Sequence, residues 1–157
     1  MITTETMRIH CDGLADNGAF PLKYTGRGLD ASPAFRIFDF PSNTQTFAIT
    51  LEDRNHPIFK DFTHWLIWNI PAGDSIPGAI PPGKRVKTLN HTVQGLAYGI
   101  HKYAGPKPPK GARHQYRFTV YALDCELSLT PCATKRIFLR KAKPHILQKA
   151  ALSGTFE

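Results

Sequence analysis

The apolar residues of this chain come in short alternating runs, each closed by proline, glycine or an Asn/Asp turn. That punctuation favours many short strands and leaves little room for long helices. Thirteen Pro and twelve Gly are spread through 157 residues. Five runs read as strands: Met7–Cys11, Ala34–Phe40, Thr46–Leu51, His64–Ile70 and Tyr116–Leu123. In Thr46–Leu51, Phe47, Ile49 and Leu51 alternate with Thr46, Ala48 and Thr50, the pattern of a half-buried strand. Tyr116–Leu123 is rich in aromatic and β-branched residues, which suit a pleated sheet. Asp12-Gly13, Asn17-Gly18, Pro41-Ser42-Asn43 and Pro71-Ala72-Gly73-Asp74 supply turns between them.

Two regions depart from this pattern. The segment 76–114 holds six of the prolines and six of the glycines and shows little strand signal. An irregular stretch of that length inside a compact domain is usually functional, and Leu96, Tyr98 and Tyr103 are expected to pin it to the body. Near the C-terminus, Thr134 is placed to cap a helix over KRIFLRKA. Pro144 then opens a second expected helix over HILQKAAL, with Gly154 as its stop and GTFE as a returning strand. The expected architecture is therefore all-β with short C-terminal helices.

The length suits a single domain over 1–157 that buries roughly 70% of its extended-chain surface. Three cysteines, an odd count, form neither a disulfide framework nor a zinc spacing, and read as free thiols in a reducing cytoplasm. The opening residues lack the basic and apolar regions of a leader, and no apolar run is long enough to span a bilayer. The net charge is +8. From Ser75 to Leu123 there is no Asp or Glu, while eight Lys and Arg fall there, so the excess sits in one block. Such a field favours an anionic ligand.

Polar residues gather at three strand ends. Asp53, Asn55 and His56 follow one strand, His64 opens another, and GPKPPKGARHQY leads His114 and Tyr116 into a third. Loops at one end of a β body converge on a pocket, and imidazole and phenol groups donate to anion oxygens. A carboxylate such as Asp53 can fix the tautomer of a neighbouring His. Other chemistry finds less support. Gly73-Asp74-Ser75 reads as a turn, no nucleophile elbow or phosphate loop occurs, and the seven histidines show no HxH or HExxH spacing. Neither a metal site nor a cofactor is expected.

The ordered motifs resemble the phosphatidylethanolamine-binding protein family, in particular its bacterial and archaeal Raf kinase inhibitor-like branch. FPLKYTGRGLDASPAFRIFDFP, TFAITLEDRNHP, FTHWLIWNIP, the segment from Thr92 to Asp124 and KPHILQKAALSGTFE carry the likeness over essentially the whole chain. The resemblance implies an antiparallel Greek-key β fold with a large central sheet flanked by a smaller one. It implies a non-enzymatic protein with a small pocket for phosphate-like anions, such as a phospholipid headgroup or a phosphorylated ligand. A kinase or a serine protease is the implied protein partner, and the likeness leaves room for a homodimer. Position by position, Asp53, Asn55, Pro57, His64, Pro108, Pro109, Gly111, His114 and Tyr116 are the implied ligand-binding residues. The chain departs from the family pattern at Arg54, Asn55, His56 and Gln115, so the loop after Asp53 is where a change of ligand preference is expected. Two alternatives stand beside this reading: a hydrolase of phosphate or acyl esters using His64 or His114 as base, and a basic nucleic-acid-binding module, although no nucleic-acid motif is visible.

Overall fold

The computed structural model describes residues 6–157. In chain order the strands are β1 (Arg8–Cys11), β2 (Gly18–Ala19), β3 (Phe35–Phe38), β4 (Thr46–Asp53), β5 (Phe62–Pro71), β6 (Ser75–Ile76), β7 (Arg85–Val86), β8 (Thr92–Gln94) and β9 (His114–Leu123). The one α-helix among the described residues, α1 (Lys135–Ala142), precedes the last strand, β10 (Ile146–Phe156).

The strands form a seven-stranded sheet, β2-β10-β9-β4-β5-β8-β7, and a three-stranded sheet, β1-β3-β6. Strands β4, β5 and β8 are neighbours, and β9 returns by a long connection to lie beside β4. That order is a Greek key. Pairing is antiparallel except at one edge, where β2 runs parallel to β10.

Alternation along β4 holds, but β4 is not half-buried: all eight of its residues are buried. Phe47, Ile49 and Leu51 join Phe35, Ile37, Trp65, Phe118 and Val120 in a core under the small sheet. Ala48 on the opposite face joins Leu66, Trp68, Tyr121 and Phe138 in a second core under α1. Covering both faces explains why a polar series, Thr46, Thr50 and Glu52, is buried too. Glu52 pairs with Arg117 of β9 at 3.3 Å and with Lys135 of α1, so the helix is tied electrostatically to the sheet.

Helix α1 forms where KRIFLRKA predicts it, and Phe138 and Ala142, one turn apart, are its buried stripe. Thr134 makes no side-chain cap; only its carbonyl accepts, from the Phe138 N–H. The second expected helix is absent. Pro144 lies in a 3-10 turn over Lys143–His145, and 146–156 is strand β10, paired with β9 from Ile146↔Leu123 to Phe156↔His114. The free edge of the long β9 strand outweighs the helix propensity of LQKAAL. The irregular middle is pinned as expected at Tyr103, whereas Tyr98 is exposed. The Gln94 side chain also anchors it, accepting from Trp65 Nε1 at 2.8 Å and donating to the carbonyls of Pro81 and Gly83.

Candidate functional site

Beyond the Phe118 layer, the β4–β9 register sets Asp53 opposite Tyr116. Residues of β9 two apart share a face, so His114 and Tyr116 continue the side that Phe118 and Val120 occupy in the core. His64 reaches that side by a different route. Leu51 faces Trp65, but Glu52 faces Thr63, so His64 is an extra residue in a β-bulge of β5. Strict alternation would send His64 to the face of Leu66, under α1. The bulge re-aims it toward Asp53 and Tyr116.

These side chains line a cavity of about 480 Å³ together with Arg27, His56, Pro57, Phe62, Tyr98, Lys107, Pro108 and Pro109. Asp53 is committed on both oxygens: Oδ2 accepts from His114 Nδ1 at 2.8 Å and Oδ1 from the Asn55 N–H at 2.8 Å. His114 is thereby held with Nδ1 protonated toward the carboxylate, leaving Nε2 as its second polar atom. His64 Nδ1 lies 2.9 Å from the Ala104 carbonyl, which can only accept, so this ring also carries its proton on Nδ1 and keeps Nε2 for a ligand. Burial lowers the pKa of His64 against the opposing pull of the Ala104 carbonyl and of Asp53. Tyr116 is fully buried, and its pKa is raised, first by desolvation and then by Asp53, so its phenol stays a proton donor.

The wall opposite the strands is the loop 103–109. The Tyr103 hydroxyl donates to the Tyr24 carbonyl at 2.7 Å, and the Gly105 N–H donates to Asp30 Oδ1 at 2.7 Å. A Cβ on Gly105 would sit 2.1 Å from the Tyr24 carbonyl oxygen, so only glycine lets the two segments meet. Arg27 donates to the Pro108 carbonyl, which fixes its guanidinium at the rim. The rim below is aromatic: His56 stacks on Phe62 with centroids 4.6 Å apart, and Tyr98 lies 4.9 Å from the ring of His64.

Seven of the nine expected residues line the cavity. Asn55 does not; its Oδ1 accepts from the Gln115 N–H at 2.7 Å, making it a strut between the β4 exit and β9. Gly111 does not either; it turns the chain at φ 84, next to an Ala112 N–H bond to the Pro109 carbonyl. Of the eight cations in the acid-free block, only Lys107 lines the cavity. Arg27 and Phe62 lie within motifs that carry the family likeness but are not singled out there, and Tyr98 is expected from the sequence only to pin the irregular segment to the body. His56 was visible in the polar run after β4. Its Nδ1 accepts from the N–H groups of Ile58 and Phe59, at 3.2 and 3.0 Å, so it shapes the loop as well as lining the cavity.

Larger grooves exist elsewhere. One of about 550 Å³ runs past Asn69, Arg85, His91 and Glu126, and one of about 700 Å³ lies beside Glu52, Arg117 and Lys135. The buried Asn69 of the first and the buried Glu52 of the second are already bonded within the fold. The Asp53 cavity instead gathers two oriented imidazoles, a buried phenol and two cations.

A sequence profile described as phosphatidylethanolamine-binding protein matches residues 12–157. A UPF0098 protein of Pyrococcus abyssi is 39% identical over 139 residues, covering 87% of this chain and 78% of its own. Its counterpart in Pyrococcus horikoshii is 36% identical and covers 98% of this chain and 78% of its own. Among solved structures, a protein of Chlamydia trachomatis described as a phosphatidylethanolamine-binding protein homolog superposes with a TM-score of 0.83 at 29% identity, covering 97% of each chain. The fold is shared with Escherichia coli YbcL at a TM-score of 0.86, 22% identity, and coverage of 98% of this chain and 99% of that one. The chain belongs to the phosphatidylethanolamine-binding protein family.

Proposed function

We propose that this protein binds, without turnover, a phosphate-class anion, either free or as the headgroup of a phospholipid or the phosphoryl group of a larger ligand. The supporting observation is the pair of imidazoles, each with Nδ1 fixed by an internal acceptor, that keep Nε2 for one cavity beside the Tyr116 phenol, Arg27 and Lys107. Side chains already held in place lose little freedom on binding, which favours a small ligand. The Asp53 charge is directed into His114 and the Asn55 N–H, which reduces its repulsion of an anion. Modulation of a kinase or inhibition of a serine protease, in the cytoplasm, extends this reading to a protein partner.

Titration calorimetry with inorganic phosphate and a phosphate monoester tests it. We expect wild type to bind and a His64→Ala, His114→Ala double variant to lose at least about tenfold in affinity, roughly 1.4 kcal/mol. Equal weak binding by both proteins would count against the proposal.

The Asp53–His114 pair also favours a second reading, since a carboxylate-oriented imidazole is a general base. Among the described residues no Ser, Thr or Cys lines the cavity, so a hydrolase here would have to activate water. Turnover of chromogenic phosphate or acyl esters that disappears in His114→Ala would favour that reading over ours.

A further inference from the structure

At the far end of β9 from the anion cavity, three side chains of metal-binding type meet. Asp124 and Cys125 follow the last residue of β9, and His145 precedes the first residue of β10. One ligand atom from each lies within 4.8 Å of the other two, and this is the only such trio of His, Cys and acidic side chains among the described residues. The spacing of the histidines hides it, because its members lie on two segments separated by α1 and its flanking turns.

The backbone holds both segments in place. The Asp124 N–H donates to the His145 carbonyl at 3.1 Å, and Thr46 Oγ1 donates to the Cys125 carbonyl at 2.8 Å. Pro144 restricts the approach to His145 within a 3-10 turn. His145 Nδ1 and Asp124 Oδ1 already stand 2.9 Å apart, so two ligand atoms converge on one point. Around a tetrahedral ion with bonds of about 2.0–2.3 Å, ligand atoms are separated by roughly 3.3–3.8 Å. The Asp124 and His145 side chains are 39% and 41% exposed, which leaves them room to turn toward that spacing.

We propose that Asp124, Cys125 and His145 form a binding site for a divalent transition ion of zinc type, with water in the fourth position. A thiolate, an imidazole and a carboxylate match borderline-soft ions and disfavour calcium and magnesium, which take oxygen ligands. On binding, the Cys125 thiol releases its proton to solvent, and the ion takes its place between sulfur and carboxylate. The ion would close the loop 126–144, which carries α1, and so stabilise the helix on the sheet.

Cobalt(II) is the probe, added to reduced full-length protein under anaerobic conditions. Wild type is expected to bind one equivalent, with tetrahedral visible bands and a thiolate-to-cobalt charge-transfer band. Cys125→Ser should abolish the charge-transfer band, and Asp124→Asn and His145→Ala should each weaken binding at least about tenfold. Cys132→Ser should leave the spectrum unchanged, because exposed Cys132 is not part of the trio. Circular dichroism of each variant confirms that the fold persists. No charge-transfer band in wild type, a band that survives Cys125→Ser, or unchanged affinity in both Asp124→Asn and His145→Ala would overturn the proposal.

Discussion

Burial holds the His64 imidazole neutral, whereas an anion beside Nε2 is better served by a protonated ring. This conflict fixes two pH dependences of opposite sign. His64 has a folded-state pKa below its ordinary value of 6.5, chiefly through desolvation. As pH falls through that value the unfolded chain takes up the proton first, so the stabilisation from neutral His64 is complete above about 6.5 and is lost below it. Urea denaturation should therefore show stability falling as pH drops from about 7.5 to 5, with a shallower fall in His64→Gln. Phosphate affinity should move the other way, because donation from Nε2 requires a proton. Calorimetry in buffers of different ionisation enthalpy should detect proton uptake on binding below neutral pH, and less of it in His64→Gln. Near the site, Asn55 is a residue that the family motif marks for ligand binding and that the fold uses as a strut. Its side chain bonds to the backbone of Gln115 rather than facing the cavity. The amide therefore preserves the joint between β4 and β9.

Among elements, the site depends on one bulge and one close crossing. The bulge in β5 brings His64 to the face of Asp53, and the crossing at Gly105 sets the opposite wall. Gly105→Ala forces a contact against backbone at Tyr24, which cannot swing away as a side chain can. It should cost about 1–3 kcal/mol in chemical denaturation and weaken phosphate binding with it. Neither device is legible in a single sequence. His64–Ile70 reads as uninterrupted strand, and Gly105 looks like one glycine among many in a turn-rich stretch. Strands β4 and β9 were legible because Phe47, Ile49 and Leu51 alternate plainly, as do Phe118 and Val120. What alternation could not reveal was that a second layer covers the other face. The segment 146–156 fails for the same reason: its strand state is set by β9, a partner some thirty residues away in sequence, and not by its own propensities.

At the scale of the whole molecule, the central sheet separates two sets of buried charge. Asp53 serves the anion cavity on one face, and its neighbour Glu52 ties Arg117 and Lys135 together on the other. Glu52→Ala would remove the buried partner of two part-exposed cations and should cost about 1–3 kcal/mol of stability, read by denaturant unfolding. Phosphate affinity should be unchanged, because Glu52 does not line the cavity. The +8 charge does not concentrate at the site as the acid-free block suggests, since Lys107 alone represents that block there. Salt should accordingly weaken phosphate binding only modestly, as expected for a few local contacts and not for an extended basic surface. The family likeness was the most legible property of all, because its motifs run in order along the chain, and they are motifs of loops and strand ends as well as of core.

Direct detection of the two imidazoles is the decisive measurement for a phosphate-class site. Protein labelled with nitrogen-15 at histidine, titrated with inorganic phosphate near pH 6, reports each ring nitrogen separately. The Nε2 signals of His64 and His114 should shift together and saturate, while those of His10, His91, His101 and His145 stay in place. Saturating shifts confined to the other histidines, or no saturable shift at His64 and His114, would contradict an anion site built on this pair.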